Sequence, residues 1–246
     1  MNDSGADSPL YATTPRFLAG PGDVRLVTRT LRAAGWTSHC EADTTRLTYT
    51  SPTGESTVAL RPAPSSVALW WHLSGSHEGR PWTASFGGNL PAEILAEVLQ
   101  ALADPQPRQP AEPWSVLTAA GWQRTRDDYA WHPSQTLRLH RVDTADPAAT
   151  TWLIDVSTPH GSHFWDGELD SVPLHLVTAF ATALARDAPA LRARSDVPDP
   201  HSVTQTAVGT HDIRHAHGAG TRSSATTSTD KPGPPPTTPG ARGPLR

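Results

Sequence analysis

A duplication constrains this chain more than any other feature of its sequence. The tetrapeptide Ala33-Ala34-Gly35-Trp36 recurs as Ala119-Ala120-Gly121-Trp122. Each copy closes a short apolar-periodic stretch with a glycine where a helix C-cap belongs. Trp71-His72-Leu73 answers Trp152-Leu153-Ile154, and Trp82 answers Trp165. Pro91, Ile94, Leu95, Val98 and Leu102 then fall on Pro173, Leu176, Val177, Phe180 and Leu184, all at the single offset of 82. Helical spacing within a fixed offset predicts two copies of one unit.

Each copy reads as helix, strands, helix. In the first, Asp23 can cap a helix carrying Val24, Val27 and Leu31 on one face and stopping at Gly35. Leu47 and Tyr49, Val58 and Leu60, the run Val67, Leu69, Trp71 and Leu73, and the run Trp82, Ala84 and Phe86 alternate with polar neighbours, as in a sheet with one covered face. Pro91 opens the closing helix, where a proline lacks nothing the helix needs. The second copy repeats this from Trp114 through Tyr129, Trp131, Leu137, Leu139, Trp152, Ile154, Val156, Phe164 and Trp165 to a helix over 173–186.

Strands grouped between helices, without strand-helix-strand alternation, predict an α+β protein. We expect two tandem repeats, each a helix, an antiparallel sheet of about four strands and a helix, packed as a pseudo-twofold pair, because a unit of about 80 residues has a marginal core alone. The expected domains are a flexible N-terminus over 1–14, repeats over 15–104 and 113–189, a proline-rich linker over 105–112, and a disordered tail rich in Pro, Thr and Arg over 190–246. The tail has too little apolar content to offset the entropy of ordering it.

The stretch Pro15-Arg16-Phe17-Leu18-Ala19-Gly20-Pro21-Gly22-Asp23, with Ser51-Pro52, Trp70-Trp71-His72-Leu73, Pro81-Trp82 and Leu90-Pro91-Ala92-Glu93-Ile94, resembles the actinobacterial family called domain of unknown function 317, or SPDY domain. The resemblance covers about Thr14 to Ala188 and implies the same layout: two copies and a low-complexity C-terminal tail. It carries over no catalytic residues, since the family has no assigned activity. The second copy departs from the first after Trp122 and at Phe164-Trp165-Asp166.

Composition narrows the function classes. One cysteine, Cys40, allows no internal disulfide, which fits a reducing, cytoplasmic compartment. The first nine residues are not those of a secretory signal, and no apolar run is long enough for a membrane helix. The formal charge is −4 overall, with residues 1–189 at −7 and the rest at +3. An acidic core loses the counterion release that dominates nucleic-acid affinity.

No Gly-x-Ser-x-Gly elbow, His-Glu-x-x-His helix, P-loop or dinucleotide fingerprint occurs. Gly20-Pro21-Gly22-Asp23 is read as a turn into a helix cap, not as a phosphate loop. Its proline removes a backbone donor, and no lysine follows. His39 and Cys40 are strand neighbours that point to opposite faces, so they do not form a proton-sharing pair.

His160, His163, Asp166 and Glu168 are weak metal candidates: their residue types suit a borderline cation, but in the first copy only one histidine, His77, answers them. His211, His215 and His217 form a second, adventitious set. We expect no metal and no cofactor. Trp36, Trp71, Trp82, Trp122, Trp152 and Trp165 recur and are read as core. Trp70, Trp114 and Trp131 do not recur, and are candidates for a partner surface.

These features predict a non-catalytic binding or protein-interaction module, its partner a protein or small molecule and not a membrane. The alternatives are a nucleic-acid-associated protein of a mobile element or plasmid, and an enzyme of unrecognised class.

Overall fold

The protein is described by a computed structural model, which places residues 9–40, 46–104, 111–125, 128–143, 146 and 149–208. In chain order the elements are β1 (Tyr11–Thr14), a 3-10 turn (Arg16–Leu18), α1 (Arg25–Ala33), β2 (Thr37–Cys40), β3 (Leu47–Thr50), β4 (Ser56–Leu60), β5 (Leu69–His77), β6 (Arg80–Gly87) and α2 (Ala92–Ala103). There follow α3 (Pro113–Ala119), β7 (Gln123–Thr125), β8 (Tyr129–Trp131), β9 (Leu137–Asp143), β10 (Thr150–Ser157), β11 (His163–Asp170), α4 (Leu174–Ala185), β12 (Ala190–Arg192) and β13 (Thr204–Ala207). The protein is α+β, and every strand pair is antiparallel.

Local chemistry explains the elements. Arg25 N–H donates to Asp23 Oδ1 at 2.9 Å, so the aspartate ties down the start of α1. Partial desolvation raises the Asp23 pKa, but the hydrogen bonds and charge of Arg25, with help from Arg29, hold it below the ordinary value. The repeated Ala-Ala-Gly-Trp closes α1 and α3 in one way. Gly35 and Gly121 sit at φ +79° and +85°, and the following Trp N–H reaches back to Leu31 O and Leu117 O at 3.0 and 3.1 Å. That is a Schellman closure, which needs a residue at ease in the left-handed region.

Ten strands form one sheet in the order β2-β3-β4-β5-β6-β11-β10-β9-β8-β7, so β6 and β11 meet at its centre and β2 and β7 are its edges. The helices lie side by side in the order α1-α2-α4-α3. Between sheet and helices lies the core, including Tyr49, Val58, Trp71, Leu73, Trp82, Phe86, Trp152, Ile154, Val156 and Trp165, with Ile94, Leu95, Val98, Phe180 and Leu184 from α2 and α4. Each half contributes five strands to the sheet rather than about four. The extra ones, β2 and β7, have fully exposed sequences, and an edge strand without a buried face leaves no alternation to read.

The expected boundaries of the flexible ends are corrected. Residues 11–14 and 190–207 form a second, three-stranded sheet in the order β12-β1-β13. Tyr11 pairs with both Arg192 and Ala207. Arg192, its side chain 2% exposed, donates to both carboxylate oxygens of Glu93 on α2, at 2.6 and 2.8 Å, and to the carbonyls of Ala19 and Gly20. Charge-assisted bonds of this kind, rather than apolar periodicity, fix the segment after 190. The far end of the expected linker is fixed too, since Thr178 of α4 donates to Ala111 O at 2.8 Å and Glu112 caps α3. The rest of the linker, 105–110, and residues 209–246, with His211, His215 and His217, lie outside the described residues.

Candidate functional site

The four helices cover one face of the ten-stranded sheet, so strand alternation sends every second side chain to the other. The register aligns these outward residues into rows. One runs His72, Ser85, Glu168, Leu153, His140, Tyr129 across β5, β6, β11, β10, β9 and β8. A neighbouring row runs Asp166, Asp155, Arg138, Trp131. Burial matches the geometry: Glu168, Leu153, His140, Asp155 and Arg138 are exposed, with Leu153 at 40%, while their inward neighbours Leu169, Trp152, Ile154 and Leu139 are buried.

Trp131 stands on this face and is half-buried; Trp70, at the β-bulge between Leu69 and Trp71, is half-buried too but packs against the core. The ring of Trp70 lies on the backbone of Gly88, where a Cβ would come within 2.5 Å of it, and its indole N–H donates to Ser65 O at 2.9 Å. Trp131 donates to Gln123 Oε1 at 2.9 Å and lies 5.8 Å from Tyr129, which lies 5.8 Å from His140. Both indoles are therefore held in place.

Trp114 is corrected. It is 1% exposed, 4.8 Å from Trp152, with the Arg124 guanidinium 5.1 Å from its ring centre. Because α3 starts at Pro113, Trp114 lies in its first turn and faces the core. Failing to recur in the sequence is a poor guide to exposure for a residue on a helix.

The polar groups of the face separate by half. His72 Nδ1 lies 3.2 Å from Ser85 Oγ and its Nε2 lies 3.2 Å from Leu69 O. A carbonyl only accepts, so Nε2 carries the proton and Ser85 donates to Nδ1. Burial, then the charges of Arg61 and Arg46, lower the His72 pKa and favour this neutral form. Across β6 the character turns acidic, with Asp155, Asp166, Glu168 and Asp170 on two adjacent strands. Asp166 Oδ1 is buried and has no hydrogen-bond partner among the described residues.

Of the metal candidates, Asp166 and Glu168 sit on the bare face, while His160 lies in the turn before β11 and His163 begins that strand, both exposed. Among the described residues, no three His, Cys, Asp or Glu side chains are grouped to hold a metal ion. His72, Ser85, Leu153, Tyr129 and His140 were not singled out by the sequence. Each is ordinary alone, and only the register of six strands makes them one row.

Among the described residues no helix is long and apolar enough to cross a membrane. Residues 50–108 match the model of the SPDY family, described as Domain of unknown function (DUF317), which supports the resemblance over the first half from the end of β3 through α2. No curated protein and no solved structure matches the chain.

Proposed function

We propose that this protein is a non-catalytic binding module whose bare sheet face docks a protein partner bearing cationic side chains. One observation carries the reading: a ten-stranded sheet covered, among the described residues, by helices on one face only, its other face holding the fixed indole of Trp131 and a central acidic strip. Preformed aromatic anchors around a polar centre are the anatomy of a hot spot with its rim. The charge of residues 1–208 is −7, so a basic partner is attracted and a polyanion repelled. The absence of any familiar catalytic motif in the sequence supports the non-catalytic part, and its single cysteine supports a cytoplasmic setting.

The test compares native-host proteins retained by the wild type with those retained by a Trp131→Ala, Glu168→Lys variant of unchanged melting temperature. Partners lost with the variant are expected, and identical retention overturns the reading. Single-stranded DNA is titrated in parallel at about 150 mM salt, where screening leaves only specific contacts. Sub-micromolar binding there selects the nucleic-acid alternative.

We also propose that the halves are tandem copies related by a pseudo-twofold axis between β6 and β11. Supporting this are the mirrored strand order, the two Schellman closures and the matched hydrogen bonds Ser51 N–H to Ser56 O and His132 N–H to Leu137 O, both 2.9 Å.

A further inference from the structure

The two halves carry matching clefts, filled in one and, among the described residues, open in the other. In the second half it lies between Trp122, the turn at His132, Trp165, the end of α4 and the start of α2. Residues 16–21 occupy it. Phe17 O accepts from Trp165 Nε1 at 2.9 Å, and the Phe17 ring stands edge-on to His132 at 5.0 Å, itself edge-on to Trp122 at 5.6 Å. Arg16 donates to Ala183 O on α4 and pairs with Glu97 of α2 at 2.9 Å, and Pro21 O accepts from Ala92 N–H at 2.9 Å. Phe17 and Leu18 are buried as a result.

In the first half the matching frame is Trp36, the turn at Ser51, Trp82, the end of α2 and the start of α4. It encloses a cleft of about 570 Å³. The backbone frames agree: Ser76 N–H donates to Glu55 O as Ser157 N–H does to Thr136 O, and Trp36 N–H to Leu31 O as Trp122 N–H does to Leu117 O. Trp82 lines the cleft, and no described residue accepts from its indole N–H, the group that in Trp165 is satisfied by Phe17.

The linings differ where the occupant carries charge. At the offset of 82 that relates α2 to α4, Glu97 answers Ala179, and Glu93 answers His175. At those two positions the carboxylates that hold Arg16 and Arg192 have no counterpart, and the acidic residues that line this cleft are Glu55 and Asp104 instead. At the rim His175 lies 5.8 Å from His77. An occupant of the open cleft needs the ring and the carbonyl of Phe17, without the α2 carboxylate that holds the guanidinium of Arg16.

We propose that the first-half cleft is a peptide-docking site, taking a segment of a partner protein that inserts an uncharged aromatic side chain and gives a backbone carbonyl to Trp82. The proposal rests on the pairing of the two halves, and it names a surface distinct from the bare sheet face. An indole N–H lining a cleft gains from an acceptor what it lacks unpaired, and a buried ring contributes the larger share.

The probe is a synthetic peptide of residues 14–22 with its arginine changed to alanine, titrated into the full-length protein while the tryptophan indole N–H signals are followed by NMR and assigned with single Trp→Phe variants. Saturable displacement of the Trp82 signal is expected, with affinity at least about tenfold weaker for a peptide in which the phenylalanine is glycine, a difference of about 1.4 kcal/mol. Thr53→Phe and Ala103→Phe, which fill the cleft from opposite sides, each abolish the displacement. A Trp82 signal unmoved at millimolar peptide, or displacement of Trp165 alone, overturns the proposal. The Phe17→Gly variant tests the pairing separately: a shifted Trp165 signal beside a silent Trp82 leaves the pairing standing and removes the docking site, whereas an unmoved Trp165 removes the pairing itself.

Discussion

The cleft of the second half is closed by two other segments of the chain, residues 11–21 and 190–207, and that of the first half is closed by no described residue. Residues 11–21 and 190–207 close over the second half's cleft and the start of α2, through the ion pairs of Arg16 and Arg192 and the burial of Phe17 and Leu18. The first half offers Trp36 and Trp82 to an open cleft instead. With the frames so alike, the difference lies in which half has carboxylates placed for two arginines. Under the proposed pairing, a few charged residues decide which of two like clefts the chain fills itself.

The largest expected effect comes from unsealing the closed end. A chain ending at Ala188 lacks β12, β13 and Arg192, leaving Glu93 unpaired, and should melt on the order of 10 °C below one ending at Val208. This follows from about 3–5 kcal/mol for a broken buried pair at about 2–4 °C per kcal/mol. Equal melting temperatures for the two truncations would remove the sealing role of the segment.

Single side chains sharpen the comparison. Phe17→Ala should cost about 3–5 kcal/mol in denaturant unfolding, as buried aromatic truncations do, whereas Thr53→Ala on the open cleft should stay within about 0.5 kcal/mol. Trp114→Ala belongs with Phe17, and Trp131→Ala should cost clearly less, because only the first is fully buried.

The glycine closures predict equality rather than contrast. Gly35→Ala and Gly121→Ala should each cost about 1 kcal/mol, the penalty for a Cβ in the left-handed region, since neither added methyl meets an obstacle: Pro52 at 3.6 Å near Gly35 and nothing near Gly121. Unequal costs would argue against equivalent helix ends.

The smallest effect is on pH dependence. Burial lowers the pKa of His72, His132 and His175 from the ordinary 6.5. Their contribution is complete above 6.5 and is lost as the pH falls through their lower folded values, because the unfolded chain there binds more protons. Stability should decline from about pH 7 to pH 5, with a shallower slope in His132→Gln and in His175→Gln. A melting temperature that rises over that window contradicts this.

Much of the fold was legible in residue spacing. The repeated Ala-Ala-Gly-Trp located two helix ends, and the period-2 runs located the central strands. β2 and β7 were illegible because neither buries a face. The segment after 190 read as tail because its order comes from Arg192 meeting Glu93, 99 positions away in the chain, and a lone arginine in polar text does not announce its partner. Of the candidate site, Trp131 could be placed opposite its inward neighbour by strand alternation, whereas the bulge of β5 at Trp70 breaks the alternation that would have placed it. Trp114 could not, since its direction depends on the phase of a helix whose start had to be known first.

By itself the sequence determined what depends on near neighbours: two matching series of helices and strands, their caps, and which tryptophans alternate inward, since backbone geometry reads residues two, three or four apart. Tertiary structure alone decided that β6 would meet β11, that the outward residues of six strands would line up as one row, and that one of two like clefts would be filled by residues 16–21. Those outcomes depend on contacts between residues far apart in the chain, and local periodicity carries no information about which distant strand or charge becomes a neighbour.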